Sequence, residues 1–368
     1  MKVNFLADNL QEKLSLLGKI VPAHSQIPIL SSVLLEVYDG VFSLSATDLE
    51  FGVRTVIPAK IDTDGGLLVP GKQFIETLSV IPRGKVQIEQ TGDQIIIHSD
   101  TGQFKFQVIP KEEFPKLFEE KGEKLEEYTP VKFSGIFSKL IYAVSQDQSR
   151  PHLTGVYVVK KENSVDYVAT DGYRMSLKRV TGGHTMGDLT QGIILSPRLL
   201  SEGLAQKNVD KLTMYIYNAG NQAILESENT VLVGRLIEGN YPDYEKVIPQ
   251  NSKTSIELNR QELLDALRAS SVFARENANI INLNVSLGKL TIYVSSSSLG
   301  ESKTVVEGVQ TGDDNTIAFN IKFVQDYLKS VTSDKIKLQI NSAVEPALFT
   351  TPEDSEYLHV IMPVRVQD

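Results

Sequence analysis

The sequence runs to 368 residues, 41% hydrophobic and 23% charged, with 37 Lys and Arg against 46 Asp and Glu and a formal net charge of −9. That length favours two or three domains, and the acidic balance argues against a protein that grips nucleic acid tightly. Cys is absent, which removes disulfides, thiolate chemistry and Cys-based metal sites. There is no apolar run long enough to cross a bilayer, and "MKVNFLADNLQEK" turns polar too early for a signal peptide, so a cytoplasmic protein is expected.

In chain order, "NLQEKLSLLGKIV" reads as a helix within 7–21, followed by strands in "IPILSSVLLEV" and "SATDLEFGVRTVI". "LLVPGKQFIETL" runs from a strand into a helix over 70–85, and "VQIEQTGDQIIIHS" reads as a hairpin with a Gly-Asp turn. The charged "EEKGEKLEEYTP" reads as a boundary near residue 126. A helix over 133–150, the strands "RPHLTGVYVVK" and "VATDGYRMSLKRV", a helix over 196–211 and the hairpin "LTMYIYNAGNQAILES" follow. "IPQNSKTS" marks a second boundary near 252. Beyond it come helices over 258–275 and 319–330 and the hairpin "IKLQINSAVEPALFT".

These elements repeat. An offset of 123 carries Ala46–Asp48 onto Ala169–Asp171, and Pro28, Leu30 and Val33 onto Pro151, Leu153 and Val156. A weaker third copy places Ser295–Ser298 where Ala169–Gly172 stand. Each later strand-to-helix run carries a base at one place: Lys72, Arg198 and Lys322. Ser196 and Asn320 suit helix N-caps, and Pro197 suits the first helical position. The pattern gives three similar α+β domains in series, over 1–126, 127–252 and 253–368, each with two helices and about eight strands.

The six expected helices hold 15 Lys and Arg against 9 Asp and Glu, so the remaining sequence is more acidic than the whole. Helices tolerate Lys and Arg on solvated faces for ordinary reasons. Three repeats of one basic helix position would nevertheless line a concave face with positive charge, which suits weak, sequence-independent contact with DNA.

Asp171, Tyr173 and Arg174 side by side would suit a phosphate-binding hydrolase. Against that reading, the first copy keeps the Thr-Asp pair but continues with Leu49 and Glu50, and no partner base or metal cluster accompanies the trio. The five His residues are scattered, and there is no phosphate-binding glycine loop, dinucleotide fingerprint or nucleophile elbow. A surface-array or adhesion protein is disfavoured by the basic helices and the missing signal peptide.

Taken together, "IPILSSVLLEV", "SATDLE", "RPHLTGVYV", "ATDGYRMSL", "NYPDYEKVIP" and "YLHVIMPVRV" resemble the bacterial DNA polymerase III β-subunit family, the sliding clamps, along essentially the whole chain. The resemblance implies the DNA-clamp fold, with two helices backed by curved antiparallel sheets in each of three domains. It also implies a head-to-tail homodimer closed as a ring around double-stranded DNA, with no enzymatic activity and no cofactor.

By that resemblance, Phe106 and Val108 meet Val272 and Phe273 at the subunit interface. A hydrophobic pocket takes Leu- or Phe-bearing peptides from the replicative polymerase, the clamp loader and repair polymerases. Its residues would be Leu153, Thr170, Gly172, Tyr173, Arg174, Met175, Pro242, Lys246 and Val247. Asn320, Phe323, Val344, Val360, Ile361, Met362, Pro363, Val364 and Arg365 would complete it. DNA-facing positions would be His24, Lys72, Ser149, Arg150, His152, Arg198 and Lys322. Tyr173 stands where the family commonly has His, Lys246 where some members have Arg, and Ala278 where some have an aromatic residue. Pro151 and His152 follow Arg150 where aromatic residues are frequent, and Gln367 and Asp368 pass the usual end.

Overall fold

A computed structural model describes residues 1–22, 25–182, 189 and 191–365; His24, Gln367 and Asp368 lie outside the described residues. Its helices are α1 (Gln11–Gly18), α2 (Gly71–Val80), α3 (Pro130–Phe137), α4 (Pro197–Leu204), α5 (Arg260–Ala274) and α6 (Ile321–Ser330). All six stand where expected, several of them shorter. The helix expected over 133–150 is α3 followed by a 3-10 turn at Ile141–Ala143. Leu140 departs from helical geometry at φ −120°, and Asp147 then bends the chain by accepting the Ser149 amide at 3.0 Å. The helix expected over 196–211 stops at Leu204, and Asn208 beyond it adopts φ 53°. Helices α5 and α6 begin on side-chain caps: Asn259 accepts from the amides of Gln261 and Glu262, and Asn320 from that of Lys322. Each such cap is worth about 1 kcal/mol.

The chain divides into two compact units that cut across the three sequence repeats. The first holds Met1–Phe133 and Arg198–Leu236. Its five-stranded sheet runs in the order Ala59–Thr63, Lys2–Leu6, Lys85–Thr91, Gln94–Ser99 and Gly102–Gln107. Its eight-stranded sheet runs Glu123–Tyr128, Leu212–Tyr217, Gln222–Glu226, Thr230–Arg235, Phe51–Ile57, Val41–Thr47, Ser32–Tyr38 and Gly65–Pro70. Pairing of Thr230–Arg235 with Phe51–Ile57 fuses part of the second repeat to the first. The stretch expected as a linker near 126 is an edge strand instead: Leu125, Glu126 and Tyr128 are buried while Glu123, Lys124 and Glu127 stay exposed. The expected boundary at 126 therefore falls inside a strand.

The second unit holds residues 134–182, 189, 191–197 and 237–365. One twelve-stranded sheet begins Ile193–Leu195, Val156–Lys160, Ser164–Thr170, Arg174–Thr181, Asp354–Ile361 and Ala347–Thr351. It continues through Lys335–Ile340, Thr254–Asn259, Gly300–Gly312, Lys289–Ser296, Ile280–Ser286 and Asn315–Asn320. Here Arg174–Thr181 pairs with Asp354–Ile361, so the rest of the second repeat is fused to the third. Leu263 and Leu267 of α5 and Val324 and Tyr327 of α6 lie in one buried core with Phe319, Phe349 and Tyr357 of the sheet. Among the described residues no helix is long and apolar enough to cross a membrane.

Candidate functional site

The repeated Thr-Asp pair builds the same turn twice. Thr170 Oγ1 donates to the Arg174 carbonyl at 2.7 Å and accepts from the Gly172 amide at 3.0 Å. Asp171 Oδ1 accepts the amides of Tyr173 and Arg174 at 2.8 and 3.0 Å. In the first copy, Thr47 donates to the Phe51 carbonyl at 3.1 Å and accepts from the Leu49 amide at 3.0 Å. Asp48 Oδ1 accepts the amides of Glu50 and Phe51 at 3.1 and 2.8 Å. The third residue of each turn is left-handed, Gly172 at φ 90° and Leu49 at φ 76°. The carboxylate that suggested proton chemistry is thus spent on backbone amides.

Arg174 is spent as well. Its guanidinium donates to Asp171 Oδ2 at 3.1 Å, to Asp326 at 2.7 Å and to the Tyr142 carbonyl at 2.7 Å. It lies over the rings of Phe323 and Tyr142, 4.5 and 5.3 Å from their centroids. Behind it, buried His359 holds Ser176 Oγ at 2.7 Å and Tyr142 Oη at 3.2 Å through Nδ1. Burial, helped by the Arg174 charge, lowers the His359 pKa to about 3, so the ring is neutral. Burial also holds the Tyr142 and Tyr357 hydroxyls above their ordinary value; the two bond each other at 2.8 Å.

In front of this network opens a cleft of about 180 Å³. Of the residues expected at the peptide pocket, it brings together Leu153, Thr170, Gly172, Arg174, Met175, Pro242, Val247, Val360 and Met362. Met175 and Val360 are cross-strand partners, and the Met362 amide donates to the Tyr173 carbonyl at 2.8 Å, which sets the chain end against the turn. Asp243 and Tyr244 also line the cleft. Neither was singled out from the sequence, although both lie in the "YPDYEKV" run that supplied Pro242, Lys246 and Val247. A small, mostly apolar cleft with its polar groups already satisfied can take an aliphatic or aromatic side chain.

The other expected pocket residues stand apart from this cleft. Tyr173 is 62% exposed, and Lys246 is exposed and paired with Asp243 at 2.9 Å. Asn320 caps α6, Phe323 underlies Arg174, and Ile361 is fully buried in the core of the second unit. Val344, Val364 and Arg365 line a separate open groove of about 1050 Å³ with Asn282, Tyr293 and Lys303. Half-buried Pro363 lies between Met362 and Val364, whose amide donates to the Ala318 carbonyl at 2.8 Å.

Among residues expected to face DNA, Lys72 on α2 and Lys322 on α6 are exposed. Arg198 is engaged within the first unit: it pairs with Asp48, donates to the Lys19 carbonyl at 3.0 Å and covers the Phe51 ring at 4.8 Å. Ser149 and Arg150 are both held by Asp147, and the Ser149 bonds keep its carboxyl below the usual range. His152 is half-buried in a 3-10 turn. Of the residues expected at a subunit interface, Phe106 sits on the edge strand Gly102–Gln107, half-buried and edge-on to Phe74 at 6.1 Å. Val108 follows it, donating its amide to the Asp93 carbonyl at 3.0 Å. On α5, Val272 is 54% exposed and Phe273 packs against the core of the second unit. Among the described residues no cluster of His, Asp and Glu is arranged to hold a metal ion.

Three family models match in succession, those of the N-terminal, central and C-terminal domains of the DNA polymerase III beta subunit, over residues 1–118, 129–243 and 245–365. The chain is 27% identical over 350 residues to the beta sliding clamp of Chlamydia trachomatis, covering 95% of this chain and 83% of that one. Its fold matches the DNA polymerase III beta subunit of Thermotoga maritima at 27% identity and a TM-score of 0.89, over 100% of both chains. It matches the DNA polymerase sliding clamp of Bacillus subtilis at 26% identity and a TM-score of 0.92, again over 100% of both.

Proposed function

The chain belongs to the DNA polymerase III beta subunit family, and on that footing we propose that it is a DNA sliding clamp, a replication processivity factor. The observation that carries this is the succession of all three domain models, in order, along one chain that also carries the apolar cleft. Two copies close head to tail around duplex DNA, three domains from each, with Phe106 and Val108 of one chain meeting Val272 and Phe273 of the other. The domains run over about 1–126, 127–252 and 253–368; the three matches change over between 118 and 129, and again between 243 and 245.

The work of such a protein is topological, so no bond is made or broken. Exposed Lys72 and Lys322, with half-buried His152, face the duplex. Few phosphate contacts from an acidic chain make binding weak, salt-sensitive and indifferent to sequence, which permits sliding. The replicative polymerase, the clamp loader and repair polymerases reach the ring by inserting a Leu or Phe side chain into the cleft, in the cytoplasm. The turn geometry speaks against a hydrolase, because Asp171 and Arg174 already satisfy one another and the backbone.

The test loads the protein on nicked circular DNA and then linearises the circle. A topological tether is released at the new ends; protein that stays bound after linearisation overturns the proposal.

A further inference from the structure

Asp166, in the strand Ser164–Thr170, is wholly buried. A buried carboxylate costs several kcal/mol unless it is paired and hydrogen-bonded. Its cross-strand neighbour Arg179 supplies a two-pronged pair, Nε to Oδ1 and an Nη to Oδ2, both at 2.7 Å. The third hydrogen bond comes from Tyr244, whose hydroxyl donates to Oδ2 at 3.0 Å. Tyr244 lines the cleft, in one buried cluster with Met175 and Val360. Its ring also meets Tyr157 edge-on at 6.3 Å and lies under the Lys161 ammonium at 5.5 Å.

The repeat shows that the fold itself does not call for this arrangement. At the offset of 123, Asp166 and Arg179 correspond to Ser43 and Val56, which are cross-strand partners in the same register. The buried Ser43 hydroxyl has no hydrogen-bond partner. "YPDY" around Tyr244 matches "FPKL" around Leu117, here at an offset of 127. Leu117 lies close over Gly52, the counterpart of Met175, just as Tyr244 packs with Met175. The buried ion pair and the tyrosine tied to it occur in the copy that carries the cleft.

We infer that Asp166 and Arg179 are positioning residues that fix the Tyr244 ring as the wall deciding which side chain the cleft accepts. This deepens, and rests on, the reading of the cleft as a docking site. A wall held from behind by a charge-assisted bond cannot relax onto a smaller guest. The cleft therefore penalises an Ala where a Leu would fill it. Without the tether the ring settles inward and the distinction shrinks.

The experiment measures the affinity of a fluorescein-labelled, Leu/Phe-bearing peptide from the replicative polymerase and of its Leu-to-Ala counterpart. The proteins are the wild-type chain and the variants Tyr244→Phe, Asp166→Asn and Met362→Glu, with a thermal midpoint for each. Tyr244→Phe and Asp166→Asn should each lower the Leu-over-Ala preference by about fivefold, the size of one net hydrogen bond. A merely structural role would move the midpoint and leave that ratio alone. An unchanged ratio in Tyr244→Phe overturns the inference, whether or not Asp166→Asn folds. If the wild-type chain shows no Leu preference, or Met362→Glu keeps it, the docking reading itself falls, a result distinct from the first.

Discussion

Arg174 reaches Asp326 at 2.7 Å while its guanidinium lies over Phe323, so the turn beside the cleft is clasped to α6. The first unit makes a similar clasp with the roles exchanged. There the arginine comes from the helix, as Arg198, and the ring from the turn, as Phe51, while Asp48 takes the place of Asp171. Both clasps pair a charge with an acid and an aromatic face, a combination that suits Arg and not Lys. Because the Arg174 side chain is only 10% exposed, Arg174→Ala strands two carboxylates and the Tyr142 carbonyl. The expected loss is about 3 kcal/mol, read as a lower urea midpoint. Arg174→Lys should recover only part of it.

The two turns also differ in how well their third residue fits. Leu49 adopts φ 76° while 46% exposed, and a β-carbon is disfavoured there. Leu49→Gly should therefore stabilise the chain by up to about 1 kcal/mol, offset in part by the entropy of the unfolded glycine. Gly172→Ala should do the reverse, since Gly172 sits at φ 90° and a Cβ would meet the Arg150 guanidinium at 3.0 Å. Urea midpoints of the two variants check the opposite signs.

Much of this was legible from residues. The Thr-Asp pair recurs at one offset because both copies need a side chain to satisfy the same turn amides. The helices were legible too, since apolar spacing and caps such as Asn320 are local. The fusion of sheets across the repeats was not, because which strand edge meets which is a property of packing. The pairing of Asp166 with Tyr244 joins residues far apart in sequence, and no spacing pattern announces it. Arg198 shows a further limit: the repeat placed a base on the helix but gave no sign of Asp48 beside it. The strand over Glu123–Tyr128 was hidden because a charged edge strand has the composition of a linker.

His359 gives a pH dependence whose sign follows from its burial. Its folded-state pKa, about 3, lies below the ordinary 6.5, so the unfolded chain takes the proton first. Stability is therefore complete above about pH 6.5 and falls as the pH drops from 6.5 towards 3. Between pH 7 and 5.5 the loss from this residue should be about 1 kcal/mol. That window lies above the carboxylate range, so His359→Asn should flatten it. Urea midpoints of both proteins at pH 7, 6 and 5.5 make the comparison; equal slopes would show that His359 is not the titrating group.

The helix bases divide into two kinds, and DNA binding should separate them. Lys72 and Lys322 are exposed, whereas Arg198 is committed to Asp48, the Lys19 carbonyl and the Phe51 ring. If the exposed pair faces the duplex, Lys72→Ala and Lys322→Ala should each weaken DNA binding equally for all sequences. Each should also reduce the slope of log affinity against log salt by about 1, with folding untouched. Arg198→Ala should instead lower the thermal midpoint, because it leaves Asp48 without its partner. Salt titrations on short duplexes, read beside melting curves, decide the matter. A salt slope that drops for Arg198→Ala but not for the two lysine variants would reverse the assignment.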